Sequence, residues 1–192
     1  MTAFCPRCGA EISPGARFCS ACAFSEQARP ARFWRRAVAY VMDRCGIRYT
    51  PAEVHDLVAA IERLKPFPDA VPALEKLRAK GYGLAILSNG DPDMLAAAAP
   101  HIGFPFDHVI SVAAAGYFKP HYATYAKAAE IIDENRAHIL FVANHAFDCT
   151  GAKASGMRTA FIDRRRRPFG ETPHEPDLIV SDFTALAAAL EA

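Results

Sequence analysis

The sequence contains no stretch approaching the roughly 18 consecutive apolar residues that a membrane helix needs. It has no excess of either charge either: 22 lysines and arginines stand against 21 aspartates and glutamates, a net +1. That balance argues against a dedicated polycationic nucleic-acid binder. Internal repeats are absent, and the only biased segments are alanine-rich, so collagen-like and disordered chains are poor descriptions. The opening MTAFCPRCG carries no basic-then-apolar leader, so a cytoplasmic address is the expectation. What remains is ordinary globular material. Apolar residues make up 52% and charged residues 22% of 192, enough for one or two domains and a real core.

The six cysteines are unevenly placed. Cys5, Cys8, Cys19 and Cys22 form two CxxC pairs ten residues apart, while Cys45 and Cys149 stand alone. Each CxxC turn presents two thiolates to one point, and zinc takes four such ligands tetrahedrally. The pattern is similar to a short zinc ribbon over residues 1–24, with Gly9 and Gly15 supplying turns. So small and apolar-poor a module cannot hold itself by burial, and metal ligation would supply its folding energy. A site filled by four sulfurs is structural or partner-binding, not catalytic. The rival reading, a thioredoxin-like redox CxxC, wants a βαβ context that these cysteines lack. Residues 1–36 hold six arginines against Glu11 and Glu26, a local +4 that leaves the rest of the chain at −3. Without aromatic pairs or a basic helix, these arginines do not favour nucleic acid.

Residues 25–30 (SEQARP) read as a linker. From Phe33 the apolar period is helical, with Trp34, Ala37, Val38, Val41, Met42 and Cys45 on one stripe, so Cys45 is expected in a core. Gly46 ends that helix. Thr50-Pro51-Ala52-Glu53 then reads as a capping box opening a second helix with Val54, Leu57, Val58, Ile61 and Leu64 on one face. Together these form an antiparallel helical pair over 31–65. Beyond Lys65 the pattern alternates: helices near 70–80, 92–99, 121–132 and 150–155, and strands near 84–87, 109–112, 139–142, 159–162 and 178–180. A closing helix carries Phe183, Leu186 and Leu190. Short apolar strands separated by helices predict an α/β fold with a parallel sheet covered on both faces, over residues 66–192.

Ligands of open parallel sheets bind beyond the carboxyl ends of the strands. One strand ends at Ser88-Asn89-Gly90-Asp91, a loop closes on Lys119-Pro120, and another strand ends at Ala143-Asn144-His145-Ala146-Phe147-Asp148. A hydroxyl, an ammonium and a carboxylate would converge there, a set suited to a small anionic ligand. Each could be a helix cap or a surface turn if it stood alone. The run Arg164–Arg167 reads as a solvated loop, and Cys149 as a packing residue or a reactive thiol.

LSNG at 87–90, FKPHYATY at 118–125 and FVANHAFDCTGAKASGMRTAFIDR at 141–164 resemble the haloacid dehalogenase superfamily, within it the 2-haloacid dehalogenase branch. The resemblance runs from about Phe33 to the C-terminus, with the helices at 33–64 similar to the later part of that branch's helical cap. It implies a Rossmannoid parallel core with a partial cap. It also implies that Ser88 and Asn89 hold the substrate carboxylate region and that Lys119 balances charge. By the same resemblance Tyr125 is a buried tyrosine near the reacting centre, and Asp148 pairs with the lysine and handles water. Phe33 and Phe147 fall where the family places pocket walls, with Asn144 and His145 beside them. Superfamily phosphatases hold magnesium with two acidic residues one helical turn apart, whereas Asn144 stands four before Asp148, so no magnesium is expected.

The resemblance departs at one place. In that family an Asp-x-x-Gly-Thr on the first core strand supplies the nucleophile, and no aspartate of these 192 residues stands in such a context. The missing strand would be central, between those ending at Ser88 and Asn144, and its loss would bare two backbone edges. Three outcomes are open. The neighbours close on each other, another polypeptide supplies the strand, or the gap invites aggregation; the first two are expected. The functional expectation is a hydrolase acting on short 2-halogenated carboxylic acids, impaired by the missing nucleophile. The alternative is a non-catalytic module that binds a small anion or a protein, docking through the zinc ribbon. A homodimer is a candidate assembly, and no membrane partner is expected.

Overall fold

The computed structural model describes residues 3–4, 11–12, 30–166 and 168–191. The chain divides into two units, residues 1–63 and 64–192. The four clustered cysteines lie outside the described residues, as does the side chain of Phe33.

In the first unit β1 (Ala3–Phe4) pairs antiparallel with β2 (Glu11–Ile12). Helices α1 (Pro30–Arg44) and α2 (Pro51–Ile61) pack on each other. The capping box forms as its residue types dictate: Glu53 N–H donates to Thr50 Oγ1 at 3.3 Å, and Thr50 N–H donates to Glu53 Oε2 at 2.7 Å. Only Val54 and Val58 of α2 are buried, one turn apart. The apolar stripe of α1 therefore outruns its cover. Val41 is 57% exposed and Cys45, past the last helical residue, is exposed instead of lying in a core.

The second unit alternates helix and strand until its last two strands, which follow each other directly. Its elements are α3 (Ala70–Ala79), β3 (Ala85–Ser88), α4 (Pro92–Ile102), β4 (His108–Ser111), α5 (Tyr122–Ile132) and β5 (Leu140–Ala143). They continue as α6 (Ala146–Ala154), β6 (Arg158–Ile162), β7 (Leu178–Val180) and α7 (Phe183–Glu191). All strand pairs in this unit are parallel. Helix α4 runs on through Pro100 and stops where Gly103 takes φ +69°. Helix α6 begins at Ala146, four residues before the expected start, because extended His145 already caps it; Asp148 is thus in its first turn and not ahead of it. Both faces of the strands are covered. Tyr125, Ala129, Ala152 and Met157 pack with Leu87, Ile139 and Phe141 on one side. Leu84, Leu140 and Val142 join α3 and α7 side chains on the other.

The strands form two ladders: β3 pairs with β4, and β5–β6–β7 run in that order. Among the described residues nothing pairs with the second edge of β3 or of β5, so the expectation that these strands close directly on each other is not met. Burial follows pairing. Four of the five residues of β6, flanked on both sides, are buried, whereas β5 is only half-buried throughout. Similar latches fix each ladder's start. Asp107 accepts Leu84 N–H at 2.7 Å and Arg78 at 3.1 Å, and Asp177 accepts Thr159 N–H at 2.8 Å and pairs with Lys153. The arginine run after β6 is not wholly solvated: Arg164 pairs with Asp69 at 2.6 Å and lies 4.2 Å from the Phe67 ring centroid. Its planar cation can pair and stack at once, which draws it in from the loop.

Candidate functional site

The carboxyl ends of β3 and β5 carry the polar groups. Ser88 is the last residue of β3, and its Oγ accepts Gly90 N–H at 3.0 Å, tightening the turn into α4. Gly90 is further held by Ser111, whose hydroxyl donates to its carbonyl at 2.6 Å. Asn89 Oδ1 accepts the backbone N–H of Lys119 at 3.0 Å. This bond fixes the amide's orientation, so Asn89 Nδ2 is left as the outward donor. Neither Nδ2 nor the Ser88 hydroxyl donates to any described residue.

Lys119 Nζ lies 3.0 Å from Asp148 Oδ2, and the two side chains are only 11% and 10% exposed. The ammonium sits 5.5 Å from the centroid of the Phe141 ring. Such a pair is held by geometry, since two charges so buried must satisfy each other. It leaves a residue: Asp148 Oδ1 is buried and has no hydrogen-bond partner. The Tyr125 hydroxyl donates to the Asp148 carbonyl at 3.2 Å and not to its carboxylate. Burial, then the charge of Asp148, pushes the phenol well above its ordinary value. Tyr125 therefore stays neutral and braces the first turn of α6.

Gly151 lets α6 come this close. A Cβ there would stand 2.6 Å from Pro120 Cβ and 2.7 Å from Tyr125 OH. Sequence reading missed this glycine, whose only signal is its place inside a helix three residues after Asp148. Phe141 was missed likewise, as an apolar strand residue indistinguishable from its neighbours.

The expected pocket wall is gathered only in part. The His145 and Phe147 rings lie 5.6 Å apart on the exposed start of α6, and Phe147 is 48% exposed. Asn144 turns away, donating to the Ile162 carbonyl at 3.4 Å. Cys149 is fully buried, and desolvation, with the Asp148 charge, pushes its thiol up to about 11, so it is packing and not a nucleophile at neutral pH. A cavity of about 430 Å³ lies beside the site, lined by Pro120, Phe147, Thr150 and Phe169 among others, but not by Lys119 or Asp148. Among the described residues no three His, Cys, Asp or Glu gather to hold a metal ion.

Beyond its strand ends the parallel α/β core thus carries a hydroxyl, an amide, an ammonium and a carboxylate. The chain belongs to the haloacid dehalogenase-like hydrolase family, whose model matches residues 27–156, and a zinc-ribbon domain model matches residues 4–25. It is 40% identical to an (S)-2-haloacid dehalogenase of Xanthobacter autotrophicus over 141 residues, 71% of this chain and 55% of that protein. A second relative, the (S)-2-haloacid dehalogenase of Pseudomonas sp. (strain YL), is 36% identical over 137 residues, 70% of this chain and 59% of that protein. The chain thus spans a little over half the length of these relatives. The L-2-haloacid dehalogenase RSc1362 superposes with a TM-score of 0.79 at 33% identity, over 83% of this chain and 73% of that one.

Proposed function

We propose that the chain carries the anion-handling half of a 2-haloacid dehalogenase site and that its hydrolytic step is impaired. The ligand class is short 2-halogenated carboxylates. The Ser88 hydroxyl, Asn89 Nδ2 and the N–H groups of Lys119 not spent on Asp148 supply donors for the carboxylate. An L-2-haloacid dehalogenase from Xanthobacter autotrophicus, 34% identical to this chain, has been solved with chloropropionic acid covalently bound, which makes 2-chloropropionate the natural probe.

One observation carries the impairment: among the described residues the only carboxylate paired with Lys119 is Asp148, and that pair occupies it. An attacking carboxylate needs a second such group within reach. Loss of a nucleophile costs on the order of 10⁶ in turnover, with some binding and charge stabilisation left over. The test is halide release from 2-chloropropionate by the purified zinc-loaded protein beside Asp148→Asn. Release no faster than the buffer blank is expected from both. Release that Asp148→Asn abolishes would contradict the reading and make Asp148, or water that it activates, the reactive group.

The four thiols Cys5, Cys8, Cys19 and Cys22 fit zinc by their donor chemistry, and such a closed site would fold and dock and take no part in the reaction. A second reading, a non-catalytic module that binds a protein partner through this ribbon, draws support from the edges of β3 and β5 that pair with no other strand among the described residues.

A further inference from the structure

The loop that carries Lys119 is held from two sides. Toward β3, the Lys119 N–H donates to Asn89 Oδ1 at 3.0 Å. Toward α5, the Thr124 hydroxyl donates to the Tyr117 carbonyl at 2.7 Å, and the His121 N–H donates to the Phe118 carbonyl at 2.9 Å. A third tie is made by rings: Tyr117 and His121 stack with centroids 4.0 Å apart and planes 9° from parallel. Thr124 is buried, whereas His121 is exposed. Lys119 stands two residues after Tyr117 and two before His121, so the stack closes a short loop with the lysine at its middle.

His121 is also the N-cap of α5. Its backbone is extended, at φ −63° and ψ 133°, and its Nδ1 accepts the Ala123 N–H at 3.2 Å. That N–H is one of the first-turn donors that a helix leaves without an internal partner. An imidazole accepts only when neutral and only at one nitrogen, so the ring proton belongs on Nε2. An imidazolium would set a donor against a donor and a positive charge at the positive end of the helix. His55 and His138 lie against Asp56 and Glu134, but among the described residues no carboxylate pairs with His121. Nothing there draws the ring away from Ala123. Serine, aspartate or asparagine would cap without offering a flat face, and phenylalanine would stack without an acceptor. Histidine does both.

We propose that His121 is the positioning residue of the lysine loop: its neutral ring, with the proton on Nε2, is anchored by the cap on α5 and clasps Tyr117. The clasp thereby holds Lys119 toward Asp148 and the Ser88–Asn89 turn. His121 acts through the loop and not on the ligand. The consequence for binding rests on the anion-site reading of Lys119, whereas the clasp itself rests on the contacts.

The test uses the full zinc-loaded chain, with NMR of the ring nitrogens and residue-resolved amide exchange. The parent is expected to show His121 with its proton on Nε2; a proton held on Nδ1 would overturn the proposal. His121→Asn keeps a capping acceptor and removes the ring, and Tyr117→Leu removes the ring's partner. In both, the Lys119 amide is expected to exchange about fivefold faster, the factor to which a ring contact of ordinary strength converts, with Ala123 within about twofold of the parent. His121→Phe keeps a ring without an acceptor, and both amides are expected to speed up. An unchanged Lys119 amide in His121→Asn would make His121 a cap alone and overturn its positioning role. The amide of Thr159, bonded to Asp177 near the amino end of β6, is the reference, and equal acceleration there would mean general loosening and overturn the proposal as well. Titrated with 2-chloropropionate, His121→Asn and Tyr117→Leu are expected to bind about fivefold more weakly than the parent. Affinity equal to the parent's would overturn the link between clasp and site. A parent that binds no 2-chloropropionate would sink the anion-site reading instead, and the exchange results, which need no ligand, would still decide the clasp.

Discussion

Gly151→Ala isolates what holds α6 against the lysine loop. Inside a helix, alanine is ordinarily favoured over glycine by about 1 kcal/mol, so the default expectation is a stabilised protein. Here the new Cβ would meet Pro120 Cβ at 2.6 Å and Tyr125 OH at 2.7 Å, about 1 Å inside ordinary contact. Neither neighbour yields easily. Pro120 Cβ belongs to a ring, and Tyr125 is fully buried, edge-on to Phe141 at 5.4 Å and bonded to the Asp148 carbonyl. Overpacking of this severity costs about 3 kcal/mol, at the upper end of the usual range, so net destabilisation of about 2 kcal/mol is expected. Urea unfolding followed by circular dichroism measures it, provided the slope is unchanged. Gly83→Ala is the control: nothing lies within 4 Å of a Cβ there, and its change is expected to stay within about 0.5 kcal/mol. A Gly151→Ala protein as stable as the parent, or more stable, would refute the close approach of α6 to Pro120 and Tyr125.

Lys119→Met leaves the buried Asp148 carboxylate with neither oxygen paired, and about 3 kcal/mol or more of stability should be lost at neutral pH. Adding Asp148→Leu should recover part of that loss in the same denaturation assay. Asp69 is held below its ordinary 3.8 chiefly by the Arg164 hydrogen bond, against burial, with help from Phe183 N–H. A depressed carboxyl stabilises above its unfolded value and loses that contribution as pH falls through the folded one. Asp69→Asn should therefore lower stability near neutral pH and reduce the acid-side slope of stability against pH. Iodoacetamide at neutral pH followed by peptide mass spectrometry should label Cys45 in the folded protein and spare Cys149 until it unfolds.

Local patterns were legible in the sequence because they are set by neighbouring residues. The Thr50–Glu53 box, the alternation of helices and parallel strands, and the strand end at Ser88 follow from short-range chemistry and appear in the structure. The start of α6 was read four residues late, since His145 caps it by backbone conformation without a side-chain bond that a sequence could announce. Arg164 looked like loop because its partner Asp69 is 95 residues away. The exposure of Cys45 depends on how far α2 covers α1, which periodicity along α1 does not encode. The convergence of Lys119 and Asp148 follows from the strand-end rule and their pairing from the resemblance, while the distance of 3.0 Å between them is a product of tertiary packing. Gly151 had no signal beyond its residue type, because the approach it permits involves a loop and a helix distant in sequence.

The anion site itself is tested most directly by titrating 2-chloropropionate into the labelled protein and following backbone amide resonances. Shifts are expected at Ser88, Asn89, Gly90 and Lys119, saturating together, with no comparable response to the neutral 2-chloropropionamide. Silence of those four amides at the highest soluble concentration, or an equal response to the amide, would contradict an anion-handling role for these strand ends.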